Sequence, residues 1–235
     1  MGTILAFGGG GFSMSDDGAS ALDDYLLDLT GRSRPRVCFV PTASGDADAY
    51  SQRFEAAFAG RAETSVLSLF CHQPWGYSDP KVLLEQDVVY VGGGSTANLL
   101  AVWRLHDLPE VLRDAAANGT ILAGVSAGMN CWFEGSSTDS FGPLAPLTDG
   151  LGFVPASACP HYLGEPGRRE KYLGWVGAGV LGDGYAVDDY AAVLLRDGEL
   201  VEAVAEKPGR PVFRVERRGD GAVELEVPVQ TLAAG

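Results

Sequence analysis

No pair among the four cysteines, Cys38, Cys71, Cys131 and Cys159, stands at CxxC spacing. That scatter speaks against a thiolate zinc site, and with at least three of the four in apolar runs the expectation is buried, reduced thiols rather than disulfides. Basic residues are scarce: 17 Lys and Arg stand against 31 Asp and Glu, a formal net charge of −14. Without a basic run to neutralise a phosphate backbone, nucleic acid is not an expected partner. No stretch approaches the roughly 18 uninterrupted apolar residues of a membrane-spanning helix. The opening MGTILAFGGGG has neither the basic flank nor the cleavage site of a signal peptide. A membrane is therefore not an expected partner, and the expected location is the cytoplasm. There is no phosphate-binding G-x-x-x-x-G-K-[ST], and neither FGGGGFS (7–13) nor VGGGST (91–96) gives G-x-G-x-x-G. No cofactor is indicated, nucleotide or metal.

Hydrophobic residues make up 46% of the 235, enough for a sizeable core. Short β-branched runs at 3–8, 36–41, 64–69, 87–92 and 120–125 read as strands. Segments of helical period lie between them at 18–30, 48–59 and 96–118, the last broken at Pro109. Strands alternating with helices predict a doubly wound α/β fold around a mostly parallel sheet. Beyond residue 126 a loop-rich stretch leads to FVPASACPHY, then to a helix over 167–178. The chain continues into β hairpins with Asp-Gly turns at 197–198 and 220–221, expected to extend the same sheet at one edge. With no low-complexity linker and no repeat, one domain over 1–235 is expected.

The sharpest motif is GVSAG at 124–128, a G-x-S-x-G that follows a predicted strand. In such a nucleophile elbow the glycines permit a tight turn that lifts the serine to the carboxyl edge of the sheet. A serine hydroxyl needs a base, most often a histidine oriented by a carboxylate. Three histidines are available: His72 after a strand, His106 in helical surroundings beside Asp107, and His161 in ACPHY. Only His161 follows Ser126, as the chain order Ser, acid, His requires. Asp139, Glu134 and Asp149 lie between the two, and sequence does not choose among them. VGGGST follows a strand and enters a helix, so its backbone N–H groups could serve an oxyanion together with that of Ala127. The pair Asp188 and Asp189 reads either as turn carboxylates or as a contact to a substrate's ammonium group.

Taken together, VGGGST, GVSAG, TDS, PHY and GRREKY resemble peptidase family S51, which includes aspartyl dipeptidase (peptidase E) and cyanophycinase, over about residues 3 to 195. The resemblance implies a flavodoxin-like fold related to class I glutamine amidotransferases, with serine as nucleophile. It implies that Ser126 is the nucleophile and His161 the general base, with Gly94 and Ala127 as oxyanion donors. Asp139 takes the place of the acid, and Glu134 remains the alternative. Arg169 in RREKY corresponds to an arginine that helps hold an acidic substrate side chain, a task suited to its two-pronged guanidinium. Ser95 and Cys159 stand where peptidase E has asparagine, so pocket specificity is expected to differ. The expected activity is hydrolysis of short peptides, Asp-Xaa dipeptides foremost. Carboxypeptidase-like, isoaspartyl or cyanophycin-type specificity is an alternative, as is a non-catalytic ligand-binding member of the fold. The expected partner is a small peptide substrate; a homodimer is compatible with the sequence.

Overall fold

The computed structural model describes residues 2–71 and 77–233. Its first half is built from β1 (Thr3–Phe7), α1 (Ala21–Asp28), β2 (Arg36–Val40), α2 (Asp48–Phe58), β3 (Glu63–Val66), β4 (Val88–Val91), α3 (Thr96–Leu105), α4 (Leu108–Ala117), β5 (Ile121–Val125) and the short α5 (Ala127–Asn130). The second half contains β6 (Phe133–Thr138), β7 (Ala145–Leu147), β8 (Val154–Cys159), α6 (Arg168–Gly177), β9 (Gly184–Val187), β10 (Ala191–Arg196), β11 (Glu199–Ala205), β12 (Val212–Arg218), β13 (Gly221–Val227) and β14 (Val229–Thr231).

The strands form two sheets. The first has the order β14-β11-β10-β1-β5-β4-β2-β3, and its five strands from β1 to β3 run parallel. The order β3-β2-β4-β5 is flavodoxin-like, with β1 in the position beside β5. Burial explains why these strands read as unbroken apolar runs: β4 and β5 are buried at every position, as a parallel sheet covered on both faces requires. On one face, Leu22 and Leu26 of α1 and Phe54 and Phe58 of α2 pack with Leu5, Phe7, Tyr90 and Val125 of the strands. Phe12 is the hub of that layer, with ring contacts to Phe39, Tyr50, Phe54, Phe58 and Tyr90. The other face packs on Leu99 and Trp103 of α3, Leu112 of α4, Met129 of α5 and the second sheet.

That second sheet, order β13-β12-β9-β8-β6-β7, departs from the expectation of one extended sheet. The hairpin β10–β11 does extend the first sheet, antiparallel to β1. The hairpin β12–β13 instead joins the second through β9. Its loop is Gly219-Asp220, one residue earlier than the Asp-Gly turn expected, because Arg218 pairs with Gly221 and Gly219 takes φ = 60°. The helix expected over 96–118 is two helices that part at His106–Asp107. Pro109 sits in the first turn of α4, where its missing N–H costs nothing. Among the described residues no helix is long and apolar enough to cross a membrane. Cys38, Cys131 and Cys159 are buried and Cys71 is exposed, all as free thiols.

Candidate active site

Ser126 stands at the carboxyl end of β5, between that strand and α5, with φ = 57° and ψ = −110°. A non-glycine residue rarely adopts positive φ, and a serine held there on a strand-to-helix turn has the backbone of a nucleophile elbow. The flanking glycines of GVSAG have a packing reason. A Cβ on Gly124 would lie 2.2 Å from the carbonyl oxygen of Gly128, and one on Gly128 would lie 2.3 Å from that of Val91. The turn can close only without those side chains. The Ser126 N–H donates to the carbonyl of Phe7 at 3.1 Å, which ties the elbow to β1.

The glycine turn after β4 lies alongside. A Cβ on Gly93 would fall 3.5 Å from Ser126 Cβ and 4.0 Å from its Oγ. The Gly93 N–H is engaged by the Tyr50 hydroxyl at 3.2 Å, and Gly94 follows with φ = 137°, pressed against the carbonyl of Ala43. Ala127 opens α5, where an N–H has no acceptor within its own helix. The Ser95 hydroxyl caps α3 by accepting the Asn98 N–H at 3.3 Å, so its observed task is structural.

His161 follows β8, its N–H donating to the carbonyl of Gly8 at 3.1 Å. Its Nδ1 meets Asp189 Oδ1 at 2.6 Å, with the two side chains 18% and 17% exposed. The carboxylate on the imidazole is therefore Asp189, and this corrects both expected acids. Asp139 is carried to the exposed surface by the turn that ends β6. Glu134 is the outward-facing residue of that strand, beside a surface cavity lined by Thr148, Asp183 and Arg214. The chain order is Ser, His, Asp, so a search confined to the residues between Ser126 and His161 could not reach the partner. From the sequence Asp189 reads only as a turn carboxylate or a substrate contact.

β8 and β9 are parallel neighbours, with Cys159 opposite Ala186, so the residues just past their ends arrive side by side. The Asp189 carboxylate sits between two glycines: Cβ atoms there would fall 2.2 Å from Oδ1 at Gly9 and 2.1 Å from Oδ2 at Gly164. Asp188 is buried and accepts the N–H groups of Leu163 and Gly164, both at 3.0 Å, with Arg210 Nη1 at 3.3 Å. It shapes the loop after His161 and is not available to a substrate's ammonium group.

Arg169 is also placed differently from expectation. It lies 47% exposed on α6, with Nε 2.9 and 3.2 Å from the two carboxylate oxygens of Glu224 on β13 and a further contact from Nη2. The guanidinium beside Glu224 holds that carboxyl below the usual range, and the Tyr162 hydroxyl donates to the same carboxylate at 2.6 Å. The arginine buried at the start of α6 is Arg168, only 3% exposed, paired with Glu165 and 3.4 Å from Ser137 Oγ. Ser137 in turn reaches Cys159 Sγ at 3.2 Å. Burial pushes the Cys159 thiol up to about 12, so it stays protonated and inert at neutral pH. His106 caps the end of α3, and His72 lies outside the described residues. Among the described residues no group of three or more His, Cys, Asp or Glu side chains could hold a metal ion.

The sequence model of Peptidase family S51 matches residues 4–203. The uncharacterized peptidase YgaJ of Bacillus subtilis (strain 168) is 45% identical over 233 residues, covering 99% of this chain and 100% of that one. A peptidase E of Streptomyces coelicolor is 31% identical over 218 residues, 89% of this chain and 87% of its own. The crystal structure of a peptidase from an acI-B1 Actinobacterium superposes with a TM-score of 0.73 over 100% of this chain and 97% of that one. At 16% identity it shares the fold.

Proposed function

The chain belongs to peptidase family S51, and from that premise we propose a serine-type peptidase that cleaves short peptides through an acyl-enzyme. The single observation that carries the reading is the 2.6 Å contact between His161 Nδ1 and Asp189 Oδ1, on a histidine tied to Gly8, next to the Phe7 carbonyl that holds the strained Ser126. Ser126 Oγ attacks the scissile carbonyl as His161 takes its proton. Asp189 holds the imidazole in the tautomer that leaves Nε2 free to take the serine proton and stabilises the imidazolium that forms. The oxyanion of the tetrahedral intermediate is received by the amides of Ala127 and Gly94, each donor worth on the order of 3 kcal/mol of transition-state stabilisation. As the intermediate collapses, His161 gives its proton to the departing amine. Water, deprotonated by the same imidazole, then releases the acyl group and restores Ser126.

Asp-Xaa dipeptides are the substrates proposed first, in line with the family resemblance. The engagement of Arg169 by Glu224 favours a second reading, a family member of different specificity, because the guanidinium expected to hold the aspartyl side chain already has a carboxylate partner. A panel of dipeptides, isoaspartyl peptides, longer peptides and cyanophycin, hydrolysed by wild type and Ser126→Ala, tests both. The proposal expects fluorophosphonate labelling of wild type alone and loss of hydrolysis in the variant by several orders of magnitude. Cleavage by Ser126→Ala at the wild-type rate removes the serine mechanism. The preferred substrate in the panel decides between the specificities.

A further inference from the structure

The nucleophile, the base and the acid come from remote parts of the chain, and one glycine run holds all three. The carbonyls of Phe7, Gly8 and Gly9, consecutive in sequence, accept the N–H groups of Ser126 at 3.1 Å, His161 at 3.1 Å and Tyr190 at 2.9 Å. Tyr190 directly follows Asp189, and Gly9 and Asp189 form a parallel bridge. The three donors share an uncommon backbone state, with φ = 57°, 52° and 64°. Among the described residues only four other non-glycine positions, Asp46, Cys71, Asp107 and Asp197, have positive φ. Strained conformations persist where the surroundings over-determine them, and here three of them converge on three neighbouring carbonyls.

The run could not carry side chains and do this. A Cβ on Gly9 would fall 2.2 Å from Asp189 Oδ1 and 3.0 Å from both Cε1 and Nδ1 of His161, so a side chain at this position would collide with both members of the hydrogen-bonded pair. A Cβ on Gly8 would fall 2.3 Å from the carbonyl oxygen of Val187 and 2.5 Å from that of Asp188. Both ends of the run are fixed. β1 leads into it from the middle of the sheet, and at the far end the Phe12 N–H donates to buried Asp23 at 2.6 Å while the Phe12 ring sits at the centre of the aromatic layer.

We infer that residues 7 to 11 are an alignment template that sets the relative positions of Ser126, His161 and Asp189, with Gly9 as the positioning residue for the His161–Asp189 contact. The purpose of the alignment rests on the peptidase reading above; the geometry itself does not. A methyl group at position 9 pushes the carboxylate and the imidazole apart. Its backbone φ is not in the positive range, so alanine there meets the contacts alone. Misalignment of this kind lowers turnover and leaves substrate binding nearly intact, because Gly9 acts through other residues.

The test compares Gly9→Ala with Gly182→Ala, a control at a glycine outside the positive-φ range where an added Cβ meets nothing within 4 Å. Folding is checked by thermal unfolding. The low-field proton resonance of the His161–Asp189 hydrogen bond is followed by NMR, and kcat and KM are measured on a peptide that wild type cleaves. In folded Gly9→Ala the template expects loss of the resonance and a fall in kcat of about 10²-fold or more, with KM within about threefold; the control keeps both. Retention of the resonance or of wild-type kcat in Gly9→Ala overturns the inference. Should that variant not fold, amide hydrogen exchange on wild type decides: Ser126, His161 and Tyr190 are expected to be protected and to open together, and rapid exchange at any one overturns it. If wild type cleaves no peptide, the peptidase reading fails by itself, and the resonance and the exchange still judge the template.

Discussion

Asp189, Asp139 and Glu134 carry the same functional group, and their surroundings set them apart. Asp189 is walled in by Gly9 and Gly164 with an oxygen on the imidazole, whereas the other two face solvent. Asp189→Asn is expected to lower kcat by about four orders of magnitude through the wrong imidazole tautomer. Asp139→Asn and Glu134→Gln should stay within about threefold; steady-state rates on one peptide check this, and the reverse ranking would return the role to the β6 side. Asp23 is a different case. Burial pushes its carboxyl up from the usual range to about 7, against the Phe12 N–H, which lowers it, with the charge of Glu206 adding to the rise and that of Arg61 opposing it. Between about pH 4 and 7 Asp23 in the folded protein therefore keeps a proton that the unfolded chain releases, so its contribution to stability falls as pH rises through that window and is level above it. At about 1.4 kcal/mol per pKa unit, wild type should lose on the order of 4 kcal/mol relative to Asp23→Asn between pH 4 and pH 8. Urea unfolding of both proteins at the two pH values measures it, and parallel pH profiles would sink the account.

At the scale of elements, α6 carries two adjacent arginines with different fates. Arg168 turns inward to Glu165 and Ser137, and Arg169 ties the helix to Glu224 of β13. Because Arg169 is half exposed, solvent screens the pair, and Arg169→Ala is expected to cost no more than about 1 kcal/mol of stability. KM for a peptide with an acidic side chain should change by less than about twofold. A tenfold rise in KM would show instead that the guanidinium leaves Glu224 for the substrate. Element positions were largely legible in the sequence, since β-branched runs and helical periods report burial directly. The parting of α3 from α4 fell just before Pro109, as the chemistry of proline dictates. The β12–β13 hairpin was legible as a hairpin, but its place was not: whether it joins the first sheet or the second depends on pairing with β9, a contact no local pattern encodes.

For the whole molecule the question is whether two sheets mean two units. One apolar cluster runs from Ile4, Val89 and Leu122 of the first sheet to Phe133, Val154, Tyr185 and Val212 of the second, with Trp103 and Trp132 packed 6.0 Å apart between their centroids inside it. Shared burial couples the sheets, so far-UV circular dichroism and tryptophan fluorescence should report one coincident unfolding transition in denaturant. Separate midpoints would divide the chain into two folding units and undo the expectation of a single domain.

Local physics is what the sequence carries by itself. Glycines stand where a turn closes on a neighbouring backbone, a serine stands between two of them at a strand end, and a Pro-His pair follows a buried strand. From these Ser126 and His161 stand out as candidates. The partner of His161 could not, because sequence order ranks acids by their distance along the chain while a hydrogen bond ranks them by distance in space. Asp189 reaches the imidazole only because β8 and β9 lie parallel and end together, and because Gly9 leaves room for its carboxylate. The fate of Arg169 was settled likewise by β13, some fifty residues further on, whose Glu224 the folded sheet brings to it.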